Sequence, residues 1–324
     1  MCVFLTVVYR IAQNIGVSMD GIFNILPQWN EIRDELGLLL DNPPQDHLFA
    51  GKTELLAAQI KGLVDQNTDR ALFSIMQYDR SEYGITHSVQ SAVICDVYGN
   101  FLKWNEQERI STICAALTMN IAMLDLQQQL WQQQEPPTPE QQVAIRMHPV
   151  RGREMLEKLG VRNELWLRTV AEHHESADGK GYPTGTPEPI VNAAALNLSD
   201  RYCAKISRRR YRDAITPECA IYELQQLSTG KARKAVDQIV QAVGLYPPGT
   251  FVQLANGETA IVTARGEAQH TPVIFAVRNP EGVEIDPMPR DTLQPQFNIQ
   301  CTARQIDVGT GIHKPSLIAA ASGY

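Results

Sequence analysis

The chain has 324 residues, 44% hydrophobic and 20% charged, enough apolar side chain for a substantial core, which excludes intrinsic disorder and leaves room for two units. A formal net charge of -7 argues against generic electrostatic attraction to nucleic acid or an anionic membrane, so any anion site must be a local pocket. Six scattered cysteines, Cys2, Cys95, Cys114, Cys203, Cys219 and Cys301, form no CxxC pair or zinc-ribbon spacing and read as reduced thiols of a cytoplasmic protein.

In chain order, Met1 to Arg10 is apolar, but it lacks the basic start and cleavage site of a signal peptide and is too short to span a bilayer. A helix is expected around Trp29 to Leu40, broken by Asp41-Asn42-Pro43-Pro44, and residues 1–52 read as an N-terminal extension. Residues 53–244 read as a helical domain. Leu55, Leu56, Ile60, Leu63 and Val64 recur at three- and four-residue spacings, as do Ile110, Ile113, Cys114, Leu117, Ile121 and Leu124. Asn105 with Glu108 and Thr138 with Gln141 fit capping boxes, and Pro139 and Pro217 follow threonines as first-turn prolines do. Glutamine-rich Gln127 to Gln142 reads as a helix end and connector. After Tyr246-Pro247-Pro248-Gly249 come Phe251 to Leu254, Thr259 to Thr263 and Pro272 to Val277, rich in β-branched residues and separated by Asn256-Gly257 and Asn279-Pro280-Glu281-Gly282. The expected fold class is mainly α, a helical bundle with a small C-terminal antiparallel β module over 245–301 and a tail over 302–324.

The densest chemistry lies in His173-His174-Glu175-Ser176-Ala177-Asp178-Gly179-Lys180-Gly181-Tyr182-Pro183, where two histidines and two carboxylates precede a rigid turn. In a helix beginning near Asn163, His173 follows Trp166 by seven residues and His174 follows Val170 by four, so both continue the inward face. Asp200 follows Leu196 by four and points the same way. Buried histidines and a buried carboxylate need partners, and either a cation or hydrogen bonds within the core would serve.

Read as HHExxDGxGYP, this segment resembles the HD-GYP family of metal-dependent phosphodiesterases that open cyclic di-GMP. The resemblance spans roughly residues 53–243 and implies an HD-type helical bundle. It also implies metal ligands at His87, His148, His173, His174 and Asp200. Where that family has its His-Asp pair in a helix reading roughly LLHDIGK, this chain reads Leu117-Thr118-Met119-Asn120-Ile121-Ala122-Met123. Asn120 lacks the charge that bridges two metals, Met119 offers no nitrogen donor, and Met123 stands where a lysine contacts the substrate phosphate. Tyr83, next to Glu82, holds the place of a glutamate found in larger sites.

The resemblance thus implies a catalytically degenerate cyclic di-GMP receptor or scaffold, with a residual phosphodiesterase as the alternative. One divalent ion, iron, manganese or similar, or none, is expected. In Lys205 to Arg212, Arg209 and Arg212 match phosphate-contacting positions, though a basic helix end in solvent has the same composition. Tyr182 is a further ligand-binding candidate, and the Gly181-Tyr182-Pro183 loop a docking candidate for diguanylate cyclase domains. No nucleic-acid partner and no membrane span are expected.

Overall fold

The computed structural model describes residues 25–44, 47–76, 83–207 and 214–303. A helical bundle comes first: α1 (Ile25–Asp41), α2 (His47–Gln66), α3 (Thr68–Met76), α4 (Tyr83–Phe101), α5 (Glu106–Thr118), a 3-10 turn (Ile121–Met123), α6 (Leu124–Gln132), α7 (Pro139–Lys158), α8 (Glu164–Glu172), α9 (Val191–Ile206), α10 (Pro217–Gln226) and α11 (Gly230–Val243). Five strands follow, β1 (Phe251–Leu254), β2 (Thr259–Ala264), β3 (Val273–Arg278), β4 (Glu284–Arg290) and β5 (Ile299–Ala303).

The helix starts obey their capping chemistry. Asn105 and Thr138 each accept from the backbone three residues on, while Glu108 and Gln141 reach back to the cap, and Pro139 and Pro217 each open a helix. Gln133 and Gln141 bond side chain to side chain across the connector between α6 and α7, so the glutamines there staple a turn.

Helix α4 is buried on nearly every side, the pattern of a central helix. Gly99 makes its far end possible, because a Cβ there would lie 2.4 Å from the Trp104 ring. Arg109 of α5 forks onto buried Asp96 of α4 through two 2.7 Å bonds and reaches Asp65 of α2, tying three helices in one charge network. Breaking it at one end would strand a buried charge, at a cost of about 3 to 5 kcal/mol. Trp29, Ile32 and Leu36 of α1 lie fully buried in the same apolar cluster as α4 and α5. The boundary expected between residues 52 and 53 therefore falls inside α2, and α1 belongs to the shared core. The stretch Glu106–Gln132 is the one among the described residues long and apolar enough to cross a membrane, and most of it is buried in the bundle.

The sheet is antiparallel with strand order β4-β3-β2-β1-β5. Phe251, Ile261, Phe275 and Val277 on one face pack against Phe73 of α3, and Val252, Leu254, Val262 and Ile274 on the other pack around Tyr246. Gly257, at φ 88°, turns β1 into β2 in a backbone region where side chains are strained. Arg265 bonds Asp69 of α3 and the carbonyl of Ala242 at the end of α11, which fixes the sheet to the bundle. Strands β4 and β5 were not foreseen, and β5 runs through the expected boundary at residue 302.

Candidate metal centre

His148, His173 and His174 bring one ligand nitrogen each to within 4.8 Å of one another. The sequence explains how. Pro149 lacks the N–H that would return to the carbonyl of Ile145, and the Nδ1–H of His148 takes that carbonyl instead at 2.5 Å. At the end of α8 the Nδ1–H of His173 likewise donates to the carbonyl of Val170 at 2.6 Å. A carbonyl can only accept, so both Nδ1 atoms carry their protons and both Nε2 atoms carry lone pairs.

Those two Nε2 atoms face each other at 3.1 Å. Two lone pairs cannot bond; the arrangement calls for a proton or a cation between them. Burial pushes His148 down to about 3, reinforced by His173, and burial also pushes His173 and His174 down, so a proton is a poor guest. Two nitrogens held about 2.1 Å from one ion at octahedral or tetrahedral angles lie about 3.0 to 3.4 Å apart, which matches the observed spacing. The donor set fits a divalent transition metal.

His87 and Asp200 stand beside this trio and meet each other, with His87 Nε2 to Asp200 Oδ1 at 2.6 Å. Burial works against the Asp200 charge, but the His87 bond and the nearby histidines outweigh it and hold the carboxyl well below its ordinary range. With its Nε2 engaged, the buried Nδ1 of His87 has no hydrogen-bond partner among the described residues. Tyr83 stacks on His87, centroids 5.3 Å apart, so an aromatic ring occupies the place expected of a glutamate.

The expectation that both His173 and His174 continue a helix is corrected. Helix α8 stops at Glu172, with His173 as its C-cap, and the amide of Asn197 on α9 donates to the freed His173 carbonyl at 2.7 Å. The chain then turns, which sets the two imidazoles side by side, centroids 4.1 Å apart and tilted by 40°, instead of spreading them along a helix.

Glu175, Asp178, Gly181 and Tyr182 of the HHExxDGxGYP segment each shape the loop. The buried Glu175 carboxylate accepts the N–H of Thr184 (2.7 Å), the hydroxyl of Thr184 (2.7 Å) and the N–H of Thr186 (2.9 Å), clamping the far side of the loop. Asp178 accepts from Ser176 and from the Lys180 backbone. A Cβ at Gly181 would sit 2.5 Å from Glu175 Cα and from Ser176 N, so only glycine lets the loop pass this close. Tyr182 donates its N–H to the His174 carbonyl at 3.1 Å, lays its ring 4.6 Å from the His174 ring and is followed by a cis Pro183. The turn is the wall of the histidine cluster.

Met119 is fully buried in the apolar cluster with Leu117 and Ile121. Asn120 stands at the N-cap of the 3-10 turn without a side-chain capping bond, and Met123 is half-buried at its end. Among the described residues the ligand cluster consists of the trio alone. Arg209, Arg212 and Glu82 lie outside the described residues. Sequence reasoning missed Asn197, the clamp role of Glu175, and Arg146, whose guanidinium lies 5.4 Å over the Tyr182 ring. Position two before the HP pair was the available hint for Arg146.

An HD domain model matches residues 71–232. The chain is 25% identical over 219 residues to cyclic di-GMP phosphodiesterase PdeB of Borreliella burgdorferi, covering 66% of this chain and 57% of that protein. It is 30% identical over 141 residues to cyclic di-GMP phosphodiesterase PA4108 of Pseudomonas aeruginosa, covering 42% of this chain and 34% of that one. The 3'3'-cGAMP-specific phosphodiesterase 3 of Vibrio cholerae is 26% identical over 171 residues, covering 52% of this chain and 37% of that one. The chain therefore spans between a third and just over half of the curated relatives it matches. Among solved structures, Bd1817, an HDG"Y"P protein from Bdellovibrio bacteriovorus, shares the fold with a TM-score of 0.59 at 14% identity, over 72% of this chain and 76% of that one.

Proposed function

This chain belongs to the HD domain family, in its HD-GYP branch, and from that premise we propose that it serves cyclic di-GMP signalling in the cytoplasm as a catalytically degenerate receptor. It would hold one divalent cation on His148, His173 and His174, with Asp200 and His87 completing the surroundings, and bind the cyclic dinucleotide with little turnover. The observation that carries this reading is the pair of Nε2 lone pairs facing each other at 3.1 Å, a geometry that asks for a cation. A cation there would polarise a phosphodiester oxygen.

What argues against fast hydrolysis is the same segment of α5 and its turn. Met119 is committed to apolar packing, and Asn120 brings no charge to offset a second dication. The substrate class rests on the printed names of the relatives, two of which act on cyclic di-GMP and one on 3'3'-cGAMP. A residual phosphodiesterase is the second reading, favoured by the Asp200 carboxyl that His87 holds at 2.6 Å beside the trio. A division into a helical bundle that includes α1 and a C-terminal β module that runs through β5, and docking of a diguanylate cyclase domain on the Gly181-Tyr182-Pro183 loop, belong to the same proposal.

The test combines metal content, chelation and nucleotide binding. Protein purified without chelator is expected to carry about one divalent ion per chain, the stoichiometry of a three-histidine site. Chelation is expected to remove about 3 kcal/mol of stability at a hundredfold excess of metal over its dissociation constant, and His173→Ala to abolish that chelator response. Cyclic di-GMP should bind saturably and emerge intact. Two tightly held ions with steady release of linear dinucleotide would overturn the degenerate reading, and no binding at high micromolar nucleotide would overturn the receptor.

A further inference from the structure

We propose that Arg146 is the anion-gripping residue of this site, reaching over Tyr182 to fork onto a phosphodiester of a cyclic dinucleotide; the inference deepens the receptor reading and rests on it. Arg146 is exposed, two residues before His148 on α7. Its guanidinium carbon lies 5.4 Å above the Tyr182 ring, whose own centroid is 4.6 Å from the His174 ring. The cation is therefore no further from His174 than those two lengths laid end to end, a span that a nucleotide phosphate and its ribose can bridge.

Three features favour a ligand over a merely structural clip. First, the other arginines that face carboxylates are occupied: Arg109 by Asp96, Arg153 by Glu157 and Glu164, Arg168 by Glu172, Arg265 by Asp69 and Arg290 by Glu258. No carboxylate among the described residues pairs with Arg146. Second, cation–π attraction to the Tyr182 ring, 5.4 Å from the guanidinium carbon, pre-positions the side chain, so that less entropy is lost when a bidentate acceptor arrives. Third, uncharged Met123 stands where the resemblance implies a phosphate-contacting lysine, so that contact has to come from another residue. A dianionic ligand entering a chain of net charge -7 requires a local cation at the rim.

The experiment measures binding of cyclic di-GMP and of inorganic phosphate to metal-loaded wild type, Arg146→Ala and Arg146→Lys, with metal content and thermal stability recorded for each. Arg146→Ala is expected to weaken nucleotide binding about tenfold or more, at unchanged metal content and melting temperature, and to flatten its salt dependence. Arg146→Lys, which keeps the charge but loses the fork, is expected to recover only part of the affinity. If wild type binds the nucleotide and Arg146→Ala binds it as tightly, the inference fails and the receptor reading stands. If wild type binds phosphate but no nucleotide and Arg146→Ala loses the phosphate, the receptor reading fails and the anion site stands. If Arg146→Ala loses metal or melts several degrees lower together with its affinity, the residue is a clip for Tyr182 and the inference fails. If wild type binds neither probe, both fail.

Discussion

Glu175→Gln tests whether the loop after the paired histidines is held by charge. The Glu175 carboxylate, 2% exposed, accepts three hydrogen bonds, two from Thr184 and one from Thr186. Glutamine fills the same volume but has one acceptor oxygen. If that oxygen takes the Thr184 side, the amide NH2 is turned against the N–H of Thr186; the opposite flip loses both Thr184 bonds. The better orientation therefore sacrifices one charge-assisted bond, sets donor against donor, and reduces the remaining two to neutral strength, a loss of about 2 to 3 kcal/mol. Because the loop can open without unfolding the bundle, the loss should appear as local opening. Amide hydrogen exchange at Thr184 and Thr186 is expected to accelerate about 30- to 150-fold, with Trp166 and Leu196 amides unchanged and global melting lowered by less than about 5 °C. Unchanged exchange at Thr184 and Thr186 would refute the clamp, and uniform acceleration across α8 and α9 would refute its locality.

Gly181→Ala drives a methyl into three backbone atoms at 2.5 to 2.6 Å, so the loop must shift and carry Tyr182 off His174. Cation affinity, followed by competition with a coloured chelator, is expected to fall about tenfold or more, whereas Gly62→Ala, where a Cβ meets nothing within 4 Å, should be neutral or stabilising by up to about 1 kcal/mol. The Arg290 bonds at 2.6 and 2.7 Å hold the Glu258 carboxyl below its ordinary range. A depressed folded pKa contributes stability that is present above the unfolded value, about 4.3, and is lost as pH falls through the lowered folded value. Glu258→Gln should therefore melt lower than wild type at pH 7, by about 1 kcal/mol, and the gap should close as the pH falls through the lowered folded value; a gap independent of pH would contradict the assignment.

Local chemistry was legible in the residues because it acts over three or four positions. The capping boxes at Asn105 and Thr138, the first-turn prolines, the break at Asp41 to Pro44 and the hairpin glycine all stand where short-range hydrogen bonding and backbone sterics put them. Strand β4 was hidden by Pro287 and Pro289, which a strand tolerates because β4 is an edge and pairs with β3 alone. Strand β5 was hidden by its length of five residues and by a partner, β1, some fifty positions back, so its pairing depends on the closed sheet.

At the candidate site, by itself the sequence determined the family, the order of the histidines, the presence of Met119 and Asn120 at the end of α5, and the presence of a tight turn. The tertiary structure decided the rest. It ended α8 at Glu172, where Asn197, 24 residues away from His173, supplies the amide N–H that donates to the His173 carbonyl. Asp200 went to His87, and Arg146 was set over Tyr182. The structure also turned two imidazoles, 25 positions apart, lone pair toward lone pair. Residue identity sets which atoms can donate or accept, but the direction of a lone pair depends on which carbonyl is left unpaired nearby, and that is fixed only when helices from distant parts of the chain pack together.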